Sequence, residues 1–226
     1  MSDFELKLEM LPWALSMLII TSCVHEAGHA WAAWRLGDRN EEIRRRITPF
    51  TWRHISLPFT VILPAVMMLF AGMMLGGAKP VHVRLSIGPA RMAVVALAGP
   101  IGNVFCGILS ILVLVGFIHG GWLEPDIALG FDRTYMYALQ AVMLNFILAA
   151  LNLLPIPPFD GSRIVALFLP EKLRRIYYSF TIPSIILLLV AFFLLYSVYE
   201  NEFMEVMRTV LLELHTIVLQ VRDWVQ

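Results

Sequence analysis

Charge is scarce in this chain. Of its 226 residues only 15% are Asp, Glu, Lys or Arg, where a soluble domain carries about a quarter. Acidic and basic residues number 17 each, so no net charge draws the chain to nucleic acid. Cysteine is nearly absent. Cys23 and Cys106 both sit in apolar runs and read as small membrane-helix residues rather than a bridge. No basic stretch precedes the first apolar segment, as a cleavable signal would require, so that segment is expected to stay on the mature protein. Neither an internal repeat nor a low-complexity tract is present.

What fills the chain is apolar residue, 59% of the total, with a mean hydropathy of +0.75. It comes in blocks of 18 or more, long enough to cross a bilayer. The expected architecture is an all-α polytopic membrane protein. Four spanning helices are expected, at about Met10 to Trp34, Met92 to Ile118, Thr134 to Leu154 and Thr181 to Tyr199. A fifth block, FTVILPAVMMLFAGMMLGG at 59–77, holds Pro64, Gly72, Gly76 and Gly77, which loosen a helix.

Basic residues collect on the cytoplasmic side of membranes. With the N-terminus outside and 59–77 not crossing, thirteen Lys and Arg fall in the inner segments 35–58, 78–91 and 156–179. Four lie elsewhere: Lys7, Arg133, Arg208 and Arg222. A full crossing at 59–77 would erase this bias. A re-entrant or broken element is therefore expected, tolerated where protein or a wet cavity satisfies its backbone. After it, Val81, Val83, Leu85 and Ile87 alternate with His82, Arg84 and Ser86, the period of a short strand. Such a strand is either an interfacial loop or an edge that pairs with an extended peptide, which places Lys79, Val81 and Val83 among candidate substrate contacts. Beyond Tyr199, Met207, Val210, Leu211, Leu214, Ile217, Val218, Val221 and Trp224 recur at helical spacing. That amphipathic helix is expected to lie on the membrane surface or pack on a partner. The domain reading is 1–199 in the membrane and 200–226 as this helix.

Inside the first apolar block stands His25-Glu-Ala-Gly-His29, an H-E-x-x-H pattern. On a helix His25 and His29 share a face, so two imidazoles can grip one zinc ion while Glu26 takes a proton from water. Ionisable groups in a spanning helix cost about 2.5 kcal/mol or more when charged, so three within five residues argue for function. A catalytic zinc takes a third protein ligand. Ala32 and Arg35 occupy the later positions of the metzincin pattern and exclude that class. Glu41 and Glu42 sit among arginines and are expected to pair with them. Asp160 closes NFILAALNLLPIPPFDG, where Pro155, Pro157 and Pro158 forbid a continuing helix. Gly161 is expected to permit a sharp bend there. Asp160 is either the third ligand or a helix cap.

Three motifs in order carry a resemblance: His25-Glu-Ala-Gly-His29, Ala98-Gly-Pro-Ile-Gly-Asn103, and Asn152-Leu-Leu-Pro-Ile-Pro-Pro-Phe-Asp160-Gly161. With GAKPVHV at 77–83, the chain resembles the site-2 proteases, intramembrane zinc metallopeptidases, of short bacterial type. The resemblance spans about Val24 to Arg163. It implies one Zn2+ per chain held by His25, His29 and Asp160, with Glu26 as general base and the site toward the cytoplasm of a bacterial plasma membrane. The substrate it implies is a transmembrane helix of another protein. Asn103 and Asn152 match polar family positions that orient substrate, stabilise an oxyanion or tie helices together. Two departures stand out: Phe159 where Leu is common, and His82 where Pro is frequent, either a stray ligand or a strand residue.

Rival readings are a catalytically inactive scaffold that holds membrane helices, and a metal transporter using the same residues. The intact Glu26 argues against the first. The second lacks His or acidic residues along a path through the outer half. Oligomeric state is not legible.

Overall fold

The computed structural model describes residues 3–71, 74, 76–123 and 133–225. Every regular element among them is helical. Nine α-helices run in order: α1 (Asp3–Arg35), α2 (Glu41–Arg44), α3 (Leu63–Ala71), α4 (Pro89–His119), α5 (Arg133–Asn152), α6 (Gly161–Leu167), α7 (Glu171–Ser179), α8 (Thr181–Val198) and α9 (Glu200–Val225). The chain divides into two compact units, Met1–Asn103 and Val104–Gln226.

Among the described residues, three helices are long and apolar enough to cross a membrane: Phe4–Arg35, Pro89–His119 and Thr134–Asn152. The expected fourth span is the second limb of a bent pair, Glu171–Ser179 and Thr181–Ala191, which meet at 42°. Only if that pair counts as one span does the number reach four. The break falls at Phe180, whose φ of −79° and ψ of 1° end α7 before α8 begins.

In the first unit, α1 carries 33 residues, about 50 Å at 1.5 Å per residue, longer than a bilayer core. Its C-terminal end is marked by cation–π contacts, Arg35 over Trp31 at 5.6 Å and Arg39 over Trp34 at 4.7 Å. The core here is built of small residues, Ala30, Ala32 and Ala33 of α1 with Val95 of α4, closed by Ile43 of α2 and by Val81. The 59–77 block forms a π-helix over Leu57–Ile62 that runs into α3, together an apolar helix too short to span. Gly72, Met73 and Leu75 of that block lie outside the described residues.

No strand occurs among the described residues, and the strand expected at 79–87 is instead an irregular segment ending in a short 3₁₀ turn at Leu85–Ile87. The alternation itself is real, because Val81 is buried, Val83 is half-buried, and His82 and Arg84 are exposed. What is missing is a ladder. The Val81 N–H donates to the Glu26 carboxylate at 2.8 Å and the Arg84 N–H to the Asp38 carboxylate at 2.8 Å. Side chains thus take the bonds a neighbouring strand would have taken.

The second unit has a larger-residue core. Ile111, Leu114, Val115 and Ile118 of α4, Tyr135, Leu139 and Val142 of α5, and Leu214 and Val218 of α9 form one cluster. Leu214 and Val218 of the apolar stripe of α9 pack within the chain, on α4 and α5, while Ile217 and Trp224 of the same stripe are exposed. Both cysteines are free thiols.

Candidate metal centre

His25 and His29 lie one turn apart near the C-terminal third of α1, and both are buried. Their rings meet edge to face, with centroids 4.6 Å apart and an interplanar angle of 88°. His29 Nδ1 stands 2.7 Å from the Val95 carbonyl. A carbonyl only accepts, so Nδ1 carries the proton and Nε2 keeps its lone pair. His25 Nδ1 stands 3.0 Å from Asn103 Oδ1, the same arrangement with a side-chain acceptor. The two Nε2 atoms then face one another at 3.0 Å. Two lone pairs at that separation repel unless a cation lies between them. Tetrahedral zinc, with Zn–N near 2.0–2.1 Å, sets two ligand nitrogens about 3.3 Å apart. The outer nitrogens, each hydrogen-bonded to an oxygen, fix the tautomers as metal sites require.

Asp160, in the second unit, is buried as the two histidines are. Asp160 occupies the position before α6 with helical φ and ψ of −63° and −33°, and its carboxylate makes no capping bond to that helix. The cap alternative is thereby removed. Arg163, one turn on, brings a guanidinium nitrogen to 3.8 Å. Gly161 does not serve a bend, since its φ is not positive. It serves contact: an added Cβ would lie 2.2 Å from the Leu153 carbonyl oxygen and 2.6 Å from that of Leu154.

The glycines of the second motif act alike. A Cβ on Gly99 would sit 2.5 Å from His29 Nε2 and 2.7 Å from His25 Cε1. A Cβ on Gly28 would sit 2.7 Å from the Ala98 carbonyl oxygen. Close approach of α4 to α1 is what allows Val95 and Asn103 to reach the two imidazoles. Asn103 is fully buried, and its Nδ2 has no hydrogen-bond partner among the described residues.

Glu26 follows the first imidazole and is tied at Oε2 to the Val81 N–H. Lys79 is exposed, its N–H bonded to the His54 carbonyl at 2.6 Å. Asn152 donates its Nδ2 back to the Leu148 carbonyl at 2.9 Å, inside its own helix. His82 is exposed and not in the ligand group. Glu41 is spoken for, as expected. Hydrogen bonds from Arg45 and Arg44 hold its carboxyl below the usual range. Sequence reasoning missed Val95, whose carbonyl carries no side-chain signal, and Arg46, hidden in a run of arginines.

Residues 127–197 match peptidase family M50. A Bacillus subtilis protein named "Putative zinc metalloprotease YwhC" is 33% identical over 172 residues, 74% of either chain. "Putative zinc metalloprotease Rip2" of Mycolicibacterium smegmatis is 32% identical over 152 residues, 66% of this chain and 52% of that one. "Putative zinc metalloprotease MJ0611" of Methanocaldococcus jannaschii is 31% identical over 77 residues, 34% of this chain and 35% of that one. No solved structure matches the chain significantly. The chain belongs to peptidase family M50, the site-2 protease family of zinc metalloendopeptidases. It is a membrane protein, and its buried imidazole pair, His25 and His29, fits the family's Zn2+.

Proposed function

We propose that the chain is an intramembrane endopeptidase that cleaves transmembrane segments of other membrane proteins, with His25, His29 and Asp160 as zinc ligands and Glu26 as general base. The observation that carries this reading is the pair of imidazoles whose Nδ1 protons are committed outward. Their Nε2 atoms converge at 3.0 Å. When bound, zinc supplies electrophilic activation of a water and of the scissile carbonyl. The residues supply the rest. Glu26 takes the proton from the attacking water and passes it to the leaving amine. Asn103 and the Val95 carbonyl hold the imidazoles in one tautomer and one orientation.

The bonds of a membrane helix are hidden in hydrocarbon, so water must be brought to them. The inner end of α1 is at Arg35, which puts His29 and His25 about 9 and 15 Å from it along the helix. The excess of Lys and Arg in the loops on that side supports a site facing the cytoplasm. The irregular segment Lys79–Val83, whose Val81 N–H meets Glu26, is the place for an unwound substrate to lie in this reading, with Val81 and Val83 flanking it. An apolar cavity of about 300 Å3 beside α1, lined by Ile20, Cys23, Val24, Phe50 and Trp52 among others, supports an apolar substrate. Asn152, in this reading, ties its helix rather than contacting substrate.

Glu26→Gln tests the mechanism. Purified variant and wild type are given a helical membrane substrate in detergent or vesicles. The variant keeps its zinc and loses cleavage by about 10²–10⁴-fold. Undiminished cleavage would rule the mechanism out.

A further inference from the structure

Arg44, Arg45 and Arg46 look alike in sequence, but the fold separates them. Arg44 and Arg45 are exposed and pair with Glu41. Arg46 is 1% exposed, and no carboxylate among the described residues lies within ion-pair distance of it. Its guanidinium gives its terminal N–H groups to three main-chain carbonyls instead: Pro80 at 2.7 Å, Lys79 at 2.8 Å, and Arg53. Burying a cation without an anion is costly, so the arrangement calls for a reason. Burial pushes its pKa down, and the nearby charge of Glu26 opposes that shift.

The reason lies one atom pair further on. The Pro80 carbonyl and the Val81 N–H belong to a single planar peptide unit, and that bond is trans. Its oxygen and its hydrogen point in opposite directions. Arg46 Nη1 grips the oxygen, and Glu26 Oε2 accepts from the hydrogen at 2.8 Å. Fixing one end of a rigid plate fixes the other.

We propose that Arg46 is a positioning residue for the general base: by clamping the Pro80 carbonyl it aims the Val81 N–H at Glu26. That bond holds one carboxylate oxygen still and leaves Oε1 for the water. The inference rests on Glu26 being the base.

Residue-resolved hydrogen exchange of the Val81 amide, run beside kinetics on the full chain, tests it. Arg46→Met should speed exchange at Val81 about tenfold or more, as should Glu26→Ala, since either change frees the amide. It should lower kcat by about 10²-fold with KM within about threefold and zinc content unchanged, the size expected of a small misplacement. Val81→Pro deletes the donor while sparing the arginine. If Arg46 works through that N–H, adding Arg46→Met to Val81→Pro costs less than about threefold more. Should Arg46→Met not fold, Arg46→Lys serves. It keeps the charge, loses the fork and should show a partial form of both effects. A Val81 amide indifferent to Arg46, or kinetic effects that multiply, would overturn the proposal. An inert wild type with the exchange pattern intact condemns the peptidase reading and with it the role of a base, and leaves Arg46 orienting the Glu26 carboxylate alone. An active wild type without that pattern condemns only this one.

Discussion

The two units solve interior packing in opposite ways. In Met1–Asn103 the interior is small and polar. Alanines line it, and Thr21, Ser22, His25, His29, Asp38, Arg46, His54, Thr60 and Asn103 are all buried. In Val104–Gln226 the interior around α4, α5 and α9 is large and apolar, with few buried polar side chains, among them His215, bonded to Tyr135 at 2.7 Å, and Asn145, bonded to the Ala141 carbonyl. The first interior places atoms; the second fills space. A site that must aim lone pairs needs backbone brought near side chains, and only residues without bulk allow that.

The sharpest way to break this contrast uses two glycines of one helix. Gly99→Ala forces a methyl group to within 2.5 Å of His29 Nε2, and bound zinc should fall by about 100-fold or more, read by metal analysis after dialysis. Gly116, further along α4, has open space around its would-be Cβ. Gly116→Ala should leave zinc alone and stabilise by up to about 1 kcal/mol. Equal effects at the two sites would erase the distinction.

Next in size is Leu114→Ala, which opens a void in the apolar cluster. A loss of about 2–5 kcal/mol in detergent unfolding is expected, with zinc affinity unchanged. Asn103→Ala reverses the pattern. It frees His25 Nδ1 and should weaken zinc about 10–100-fold with a smaller change in unfolding. Smallest is Tyr135→Phe, which removes one hydrogen bond to His215 and should cost about 1–3 kcal/mol with cleavage unaffected.

Composition made the spanning helices legible, and their observed bounds fall within a few residues of those expected, save at the head of α1. It begins at Asp3 because polar residues can extend a helix past the bilayer. The pairing of His25 and His29 was legible because i and i+4 share a face on any helix. Asp160 was ambiguous because prolines signal an exit but not where a carboxylate points. The strand failed for a physical reason. Period two reports which side chains are buried, and it is silent on whether another strand supplies a ladder. Arg46 was illegible because burial of one charge in a run of three is decided by which carbonyls the fold presents. Likewise, amphipathicity announced α9 without saying that α4 and α5 would cover part of it.

The π-helix at Leu57–Ile62 has a consequence of its own. Wide turns rotate Thr60 inward, where its hydroxyl accepts from the Ser56 N–H at 2.9 Å and donates to the Gly77 carbonyl at 2.8 Å. Deleting a single amino acid from that stretch would restore ordinary winding and swing the hydroxyl roughly 100° around the axis. The tether to Gly77 would then be cut, and everything downstream toward Lys79 would start from a different anchor.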